Sequence, residues 1–276
     1  MNNTISFTAT VKDCMKTMRS PRVFYPFFFY ALFQLLIVAA IAYFAYPPFS
    51  SVLVPLFKKY FGEQALHYPN NYVLLNPLFE WTNIFLSGLI GVLVIGSGTL
   101  IFVSHYQNKP PSFAKSLRLT GSKYLKLLGV WFFETSVLLT VLIGLPYLLS
   151  SQAQANSKII QAVSWLTPIF AVLVGAVFAY TTAVIVIDNR GVFTAIKNSF
   201  SIFLDHPVFS YALIGIPAFF VLPLELLKSK SPLLVTKFFP EVVLALVVIG
   251  IVISVLASCW VVGTVTRFYL SLTKNT

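Results

Sequence analysis

Six long stretches almost free of charge dominate this chain: about 23–46, 78–103, 125–149, 163–187, 208–227 and 242–270. A helix needs about 20 mostly apolar residues to cross a bilayer, and each stretch is near or above that length. Composition agrees. Hydrophobic residues make up 58% and charged residues 10%, whereas a soluble globular chain carries roughly 25% charged residues. So few charges cannot cover a water-soluble surface of this size, and so much apolar surface rules out a solvated, disordered chain. The expected fold class is an all-α polytopic membrane protein with six transmembrane helices, residues 1–276 forming a single integral membrane domain. The first stretch follows a polar segment and is too long for the apolar core of a signal peptide, so it is read as a span.

Lys and Arg set the orientation of membrane spans. The two termini and the even-numbered connections carry 13 of them, including Lys12, Lys16, Arg19, Arg22, Lys115, Arg118, Lys123, Lys126, Arg190, Lys197 and Arg267; the opposite side carries 6. Both termini are therefore expected on the cytoplasmic face of a cell inner membrane. The net charge of +11 follows from this asymmetry and points to the lipid bilayer and its anionic head groups as partners. The basic residues are dispersed among the spans rather than gathered on one face, so no nucleic acid is expected. Cys14 and Cys259 give neither a disulfide framework nor a metal site.

A helix-spaced amphipathic segment precedes each odd-numbered span. Phe7, Val11, Cys14, Met15 and Met18 oppose Lys12, Lys16 and Arg19. Phe113, Leu117 and Tyr124 oppose Lys115, Arg118 and Lys126. Phe193, Ile196, Phe200 and Phe203 oppose Lys197, Asn198 and Ser201. Such helices lie in the membrane interface, apolar side down. Aligned without gaps, Phe7-Thr8-Ala9 falls on Phe193-Thr194-Ala195, Pro21 on Pro207 and Tyr25 on Tyr211. The pattern predicts a pseudo-threefold repeat of interfacial helix and hairpin, with repeats of about 5–104, 111–187 and 191–270. Internal repeats are common in transporters, and duplication of a stable hairpin yields the same pattern without transport. A surface helix is expected around 51–66 in the long outer loop, with Leu56 and Tyr60 on one side.

In lipid, helices associate closely through small residues. Ala171, Gly175, Ala179 and Ala183 line span four, and Gly250, Ser254 and Ser258 line span six. Ser87, Gly88, Gly91, Gly96 and Gly98 lie along span two. These stripes predict tight packing among spans two, four and six. Pro146, Pro168 and Pro217 predict bends or early helix ends.

Glu134 is the acidic residue deepest inside an apolar run. Buried charged and unpaired, it would cost at least about 2.5–3.5 kcal/mol. It is therefore protonated, paired or facing water, and Arg267, entering span six from the same side, is its best available partner. Glu134 and Arg267 form a candidate intramembrane polar site, read either as a proton or substrate site or as a structural pair; alternatively, Arg267 snorkels to the head groups. Thr135, Ser136 and Thr140 continue a mildly polar face that can bond its own helix backbone. Glu80, Asn83, Glu225 and Glu241 sit at the outer interface, where solvation accounts for them. His67, His105 and His206 are scattered, so no metal ligand set and no Ser–His dyad is available. No phosphate loop or dinucleotide fingerprint occurs. No enzymatic activity, catalytic residue, metal or cofactor is expected.

The stretch Ala183-Val-Ile-Val-Ile-Asp188-Asn-Arg-Gly191-Val-Phe-Thr-Ala195-Ile-Lys-Asn-Ser199-Phe200 forms an interfacial turn motif. Asp188 and Asn189 can cap the following helix, where a negative charge suits the helix dipole, and Gly191 permits the turn. Through Asp188, Gly191, Ala195 and Ser199 the stretch resembles a loose group of six-span bacterial membrane proteins of poorly defined function. These include the YciC-like inner-membrane family and the membrane domain attached to some glycerophosphodiester phosphodiesterases. That group usually has Trp where Phe200 stands here. The resulting expectation is an integral membrane protein with a membrane-organising or lipid-related accessory role. The alternative is a small transporter or permease subunit with Glu134 as its coupling site.

Overall fold

A computed structural model describes residues 6–144, 147 and 157–273. Among the described residues there is no strand. The helices in chain order are α1 (Phe7–Met18), α2 (Tyr25–Ala42), α3 (Ser50–Phe61), α4 (Asn70–Leu86), α5 (Val92–Tyr106), α6 (Phe113–Gly121) and α7 (Tyr124–Leu139). They continue with α8 (Ser157–Phe178), α9 (Thr181–Asp188), α10 (Val192–Asp205), α11 (Pro207–Lys228), α12 (Ser231–Lys237) and α13 (Glu241–Thr273). Among the described residues, six helical stretches are long and apolar enough to cross a membrane: Pro21–Ala42, Asn70–Tyr106, Tyr124–Gly144, Leu166–Asp188, Pro207–Lys228 and Glu241–Thr273. They fit a multi-pass membrane protein and match the six apolar runs of the sequence.

The boundaries differ where hydropathy is a poor guide. Span two begins at Asn70 and runs through Pro77, because hydropathy marks the lipid-length core of a helix and not the polar turns leading into it. A π-helical turn at Ser87–Gly91 joins α4 to α5, and another at Thr140–Gly144 continues α7. Pro168 lies inside α8 and Pro217 inside α11, so neither ends its helix; Pro146 falls outside the described residues, as does the expected end of span three at 149. Span four breaks instead at residues 179–180, between α8 and α9, where there is no proline.

The chain packs as two compact units. One holds Met1–Pro26, Val92–Ala218 and Cys259–Thr276; the other holds Phe27–Gly91 and Phe219–Ser258. In the first unit, Val92, Leu127, Val130, Val184, Leu213, Val265 and Phe268 belong to one buried cluster. Phe268 is its aromatic centre, stacked on Phe209 at 4.0 Å and touched edge-on by His206 at 5.4 Å.

Three short helices of this unit bury the same two positions, the fourth and the eighth. They are Thr10 and Cys14 in α1, Ser116 and Thr120 in α6, and Ala195 and Ser199 in α10. All six side chains are small, and each pair sits against a span. Cys14 abuts Gly263 of α13, and its thiol points to the Trp260 carbonyl at 3.9 Å. Thr120 abuts Gly96 of α5. Ser199 bonds the break between α8 and α9. The large apolar residues of the same helices are not the ones buried: Met15, Leu119, Phe193 and Phe200 remain exposed. The equivalent start of the third helix is Val192, one residue before the Phe193 that aligns by letter with Phe7.

The small residues of the spans are contact points, but their neighbours differ from the expected set. Gly175 faces Ile214 of α11, while Gly96 and Gly263 receive the short helices α6 and α1. Spans two, four and six contribute Val92, Ala183 and Val265 to the same buried cluster.

In the second unit, α3 is shorter than the expected 51–66 helix. It stops at Phe61, and Gly62 takes a left-handed φ of 80° before a single 3-10 turn. Phe57 anchors it, stacked on Phe44 with ring centroids 4.4 Å apart; Leu56 and Tyr60 stay exposed.

Candidate functional site

Glu134 and Arg267 are not partners. Glu134 is half-buried on α7 and has no hydrogen-bond or ion-pair partner among the described residues. Arg267 instead pairs with Asp13 of α1, with Nε and Nη2 at 2.8 and 2.6 Å from Oδ2. Its guanidinium lies over the Tyr106 ring at 5.4 Å, an arrangement that suits a planar cation. The Tyr106 hydroxyl donates to the Gly263 carbonyl at 3.1 Å. A search of apolar runs finds Glu134 and overlooks Asp13, because Asp13 sits among basic residues outside any span. Thr140 does donate to the Ser136 carbonyl at 2.8 Å, as a polar residue inside a lipid-length helix should.

The 183–200 motif is assembled differently from the capping arrangement its residues suggest. Asp188 does not cap α10; its Oδ2 accepts a short hydrogen bond from the Tyr269 hydroxyl. The cap residue of α10 is Gly191, at an ordinary φ of −76° and with no side-chain cap. The left-handed residue that turns the chain is Asn189, at φ 57°; asparagine tolerates that region better than most residues. The carbonyls at the end of α9 are met by lysines, a favourable charge at a helix C-terminus. Lys123 Nζ donates to Ile185 and Val186 carbonyls at 3.3 and 2.8 Å. Lys126 Nζ donates to the carbonyl and side-chain oxygens of Asn189, both at 3.3 Å. Burial holds the Lys123 ammonium below the usual lysine range, Lys126 adds to that, and Asp188 opposes it.

Ser199 closes the break in span four. Its hydroxyl accepts the Tyr180 N–H at 3.2 Å and donates to the Val177 carbonyl at 2.5 Å. Tyr180 in turn shares a 2.9 Å hydrogen bond with Ser210.

Beside the Arg267–Asp13 pair lies a cavity of about 300 Å³. Lys16, Thr17 and Ser20 line it from the first helix and its end, His105, Tyr106 and Asn108 from the end of span two, and Arg267 and Asp13 complete the wall. Thr17 is committed to the Asp13 carbonyl at 2.9 Å. Among the described residues, the side chains of Lys16, Ser20 and Asn108 have no hydrogen-bond partner, and the buried Nε2 of His105 has none either. Cys14, on the same helix as Lys16, is fully buried; burial pushes its thiol up to about 12 against a smaller pull from Tyr106.

The second unit holds a polar face that hydropathy assigns to plain solvation. Asn76, Glu80, Asn83 and Ser87 recur at helical spacing along span two. Asn83 Oδ1 accepts from Tyr30 at 3.0 Å and from the buried Gln34 at 2.8 Å. Glu80 lies 2.9 Å from Lys228, whose side chain is only 4% exposed, and Glu225 lies 2.7 Å from the same ammonium. Asn76 bonds the Lys228 carbonyl at 3.5 Å.

Among the described residues, no group of three or more His, Cys, Asp or Glu side chains is placed to hold a metal, and both cysteines are free thiols. Comparison of the chain with protein-family models, curated proteins and solved structures finds no match.

Proposed function

We propose that this chain is a six-span inner-membrane protein with cytoplasmic termini and a membrane-organising, lipid-related accessory role, built as a pseudo-threefold helix-hairpin repeat and without catalytic activity. One observation carries the reading. Each short helix sets a pair of small residues against a span and leaves part of its large apolar surface exposed, while Phe7, Ile196 and Ile202 pack against the buried cluster. A helix held on one side by protein, with Met15, Leu119, Phe193 or Phe200 exposed beside Lys and Arg, is suited to lie in a lipid interface and meet anionic head groups. The contacts support the repeat: α6 rests on span two, α10 on span four and α1 on span six, so each short helix engages the second span of a hairpin. The Ser199 contact gives the resemblance to the YciC-like group an architectural sense.

The test uses the full chain reconstituted in mixed phosphatidylglycerol and phosphatidylcholine. Anionic lipid co-purifying in excess of its share of the bilayer, and bimane labels at positions 193 and 119 quenched by brominated lipid, are expected. No enrichment together with unquenched labels overturns the reading. Cysteine labelling from outside intact cells checks the topology: labelling of residue 115 from outside reverses it.

A second reading, a small permease subunit, draws on the unpartnered Glu134 and on the polar face of span two. Flux in liposomes that Glu134→Gln abolishes, with folding intact, favours that reading over the first.

A further inference from the structure

The cavity beside Arg267 is rich in unused donors and poor in acceptors. Its single carboxylate, Asp13, is held by Arg267 through two nitrogens at 2.8 and 2.6 Å. Lys16 can offer an ammonium, Ser20 a hydroxyl and Asn108 an amide, and none has a partner within the described residues; His105 Nε2 is buried there without one as well. Lys16 and Asn108 are exposed and Ser20 is half-buried, so all three are open to a ligand, and the buried His105 Nε2 is the polar atom that a complementary ligand would satisfy. Here the complement is an acceptor-rich anion. Even with the Arg267 charge offset by Asp13, Lys16 leaves the wall positive. The volume of about 300 Å³ is at the lower end of small-molecule sites, roughly 300–1,000 Å³, which suits a compact head group better than an extended substrate. Arg267 is held by both Asp13 and Tyr106, so one cation of the site is pre-ordered, and ordering costs on binding fall mainly on Lys16.

We propose that this cavity binds a phosphate ester bearing net negative charge, with Lys16, Ser20, His105 and Asn108 as its ligands and Arg267 as the fixed positive wall. The proposal rests on the lipid-related reading for one of its two sources, the head group of an anionic phospholipid; the other source is a soluble phosphate monoester. Charge-assisted hydrogen bonds to phosphate oxygens are the strong contacts in either case.

The experiment measures binding to the delipidated full chain in a neutral detergent by native mass spectrometry, with three probes: phosphatidylglycerol, phosphatidylcholine and glycerol 3-phosphate. The variants are the double variant Lys16→Gln/Ser20→Ala, at positions whose side chains make no bonds within the protein, and Asn108→Ala alone. Binding of phosphatidylglycerol or glycerol 3-phosphate weakened about tenfold or more in the double variant, the loss of about one charge-assisted bond, supports the site. Whether the lost probe is the lipid or the soluble ester identifies the source. A preference for phosphatidylglycerol over phosphatidylcholine that both variants retain overturns the cavity while leaving the lipid reading standing. Glycerol 3-phosphate binding lost in the double variant, in a parent indifferent to lipid charge, supports the cavity and overturns the lipid source. A parent that binds all three probes alike, or none, overturns the proposal.

Discussion

Ser199 and Tyr180, nineteen residues apart, meet where span four loses its helical hydrogen bonds: the serine hydroxyl accepts the tyrosine N–H at 3.2 Å. The same hydroxyl donates to the Val177 carbonyl, so one side chain satisfies a donor and an acceptor that the break leaves without helical partners. Both residues are fully buried. In that position water cannot replace the hydroxyl, and an unmet buried polar group costs about 1–3 kcal/mol. Ser199→Ala should therefore destabilise the protein by about 2 kcal/mol or more, read as a lower midpoint in thermal or denaturant unfolding in detergent. A midpoint equal to the parent's would show that the break finds other partners.

Added methyl groups should be tolerated at glycines with open space beside them and not where a short helix docks on a span. A Cβ at Gly263 would come within 2.6 Å of Cys14 Sγ and 2.7 Å of the Phe102 ring, and one at Gly96 would collide with the Thr120 methyl. These neighbours are fully buried and short or rigid, so they cannot swing aside, and overpacking of this kind costs about 1–3 kcal/mol. A Cβ at Gly191 meets nothing within 4 Å. Gly263→Ala and Gly96→Ala should lower stability by that amount, and Gly191→Ala should not. Cys14→Ala should recover part of the Gly263→Ala loss in a double-mutant cycle, whereas strict additivity would break the assigned contact.

The sequence makes the six spans legible because length and hydropathy are all that a lipid crossing demands. It also makes α1, α6 and α10 legible, through their helical spacing. Which positions of each are buried against protein is not legible, because the amphipathic pattern marks Phe193 and Phe200 as the apolar side and passes over Thr10, Ser116 and Ser199, which the protein buries. In a membrane, large apolar residues can face lipid, and close helix contact selects small ones. The Arg267–Asp13 pair joins residues 254 positions apart, which no local spacing reveals. The polar line Asn76, Glu80, Asn83 and Ser87 is different: its period is visible in the sequence, and only the habit of assigning charges near a span end to solvent conceals it.

Cys14 provides a pH-dependent readout of α1 docking. Burial raises its thiol from an ordinary 9.0 to about 12, so in the folded protein it stays protonated where an unfolded thiol ionises. The unfolded state is therefore favoured increasingly as pH rises above about 9, and this contribution to the loss of stability levels off near 12. The thiolate is the reactive form. Folded protein treated with a membrane-permeant maleimide at pH 8 should leave Cys14 unmodified, and denaturation should expose it. Prompt labelling of Cys14 in folded protein would mean that α1 is not seated on Gly263.

Lys228 and its two carboxylates should respond unequally to substitution. The lysine side chain is 4% exposed, whereas those of Glu80 and Glu225 are 42% and 43% exposed. Replacing Lys228 with Met leaves two carboxylates that still reach water, and the loss should stay within the range of solvent-accessible pairs, about 0–1 kcal/mol. Replacing both glutamates with glutamine leaves a buried ammonium with its charge uncompensated, and removing the partner of a buried charge costs about 3–5 kcal/mol. Lys228→Met added to the Glu80→Gln/Glu225→Gln background should then restore most of the lost stability, because it removes the stranded charge. Unfolding midpoints of the three variants decide the matter: if Lys228→Met alone is the most damaging change, the ammonium holds the unit together through its carboxylates rather than depending on them for its own burial.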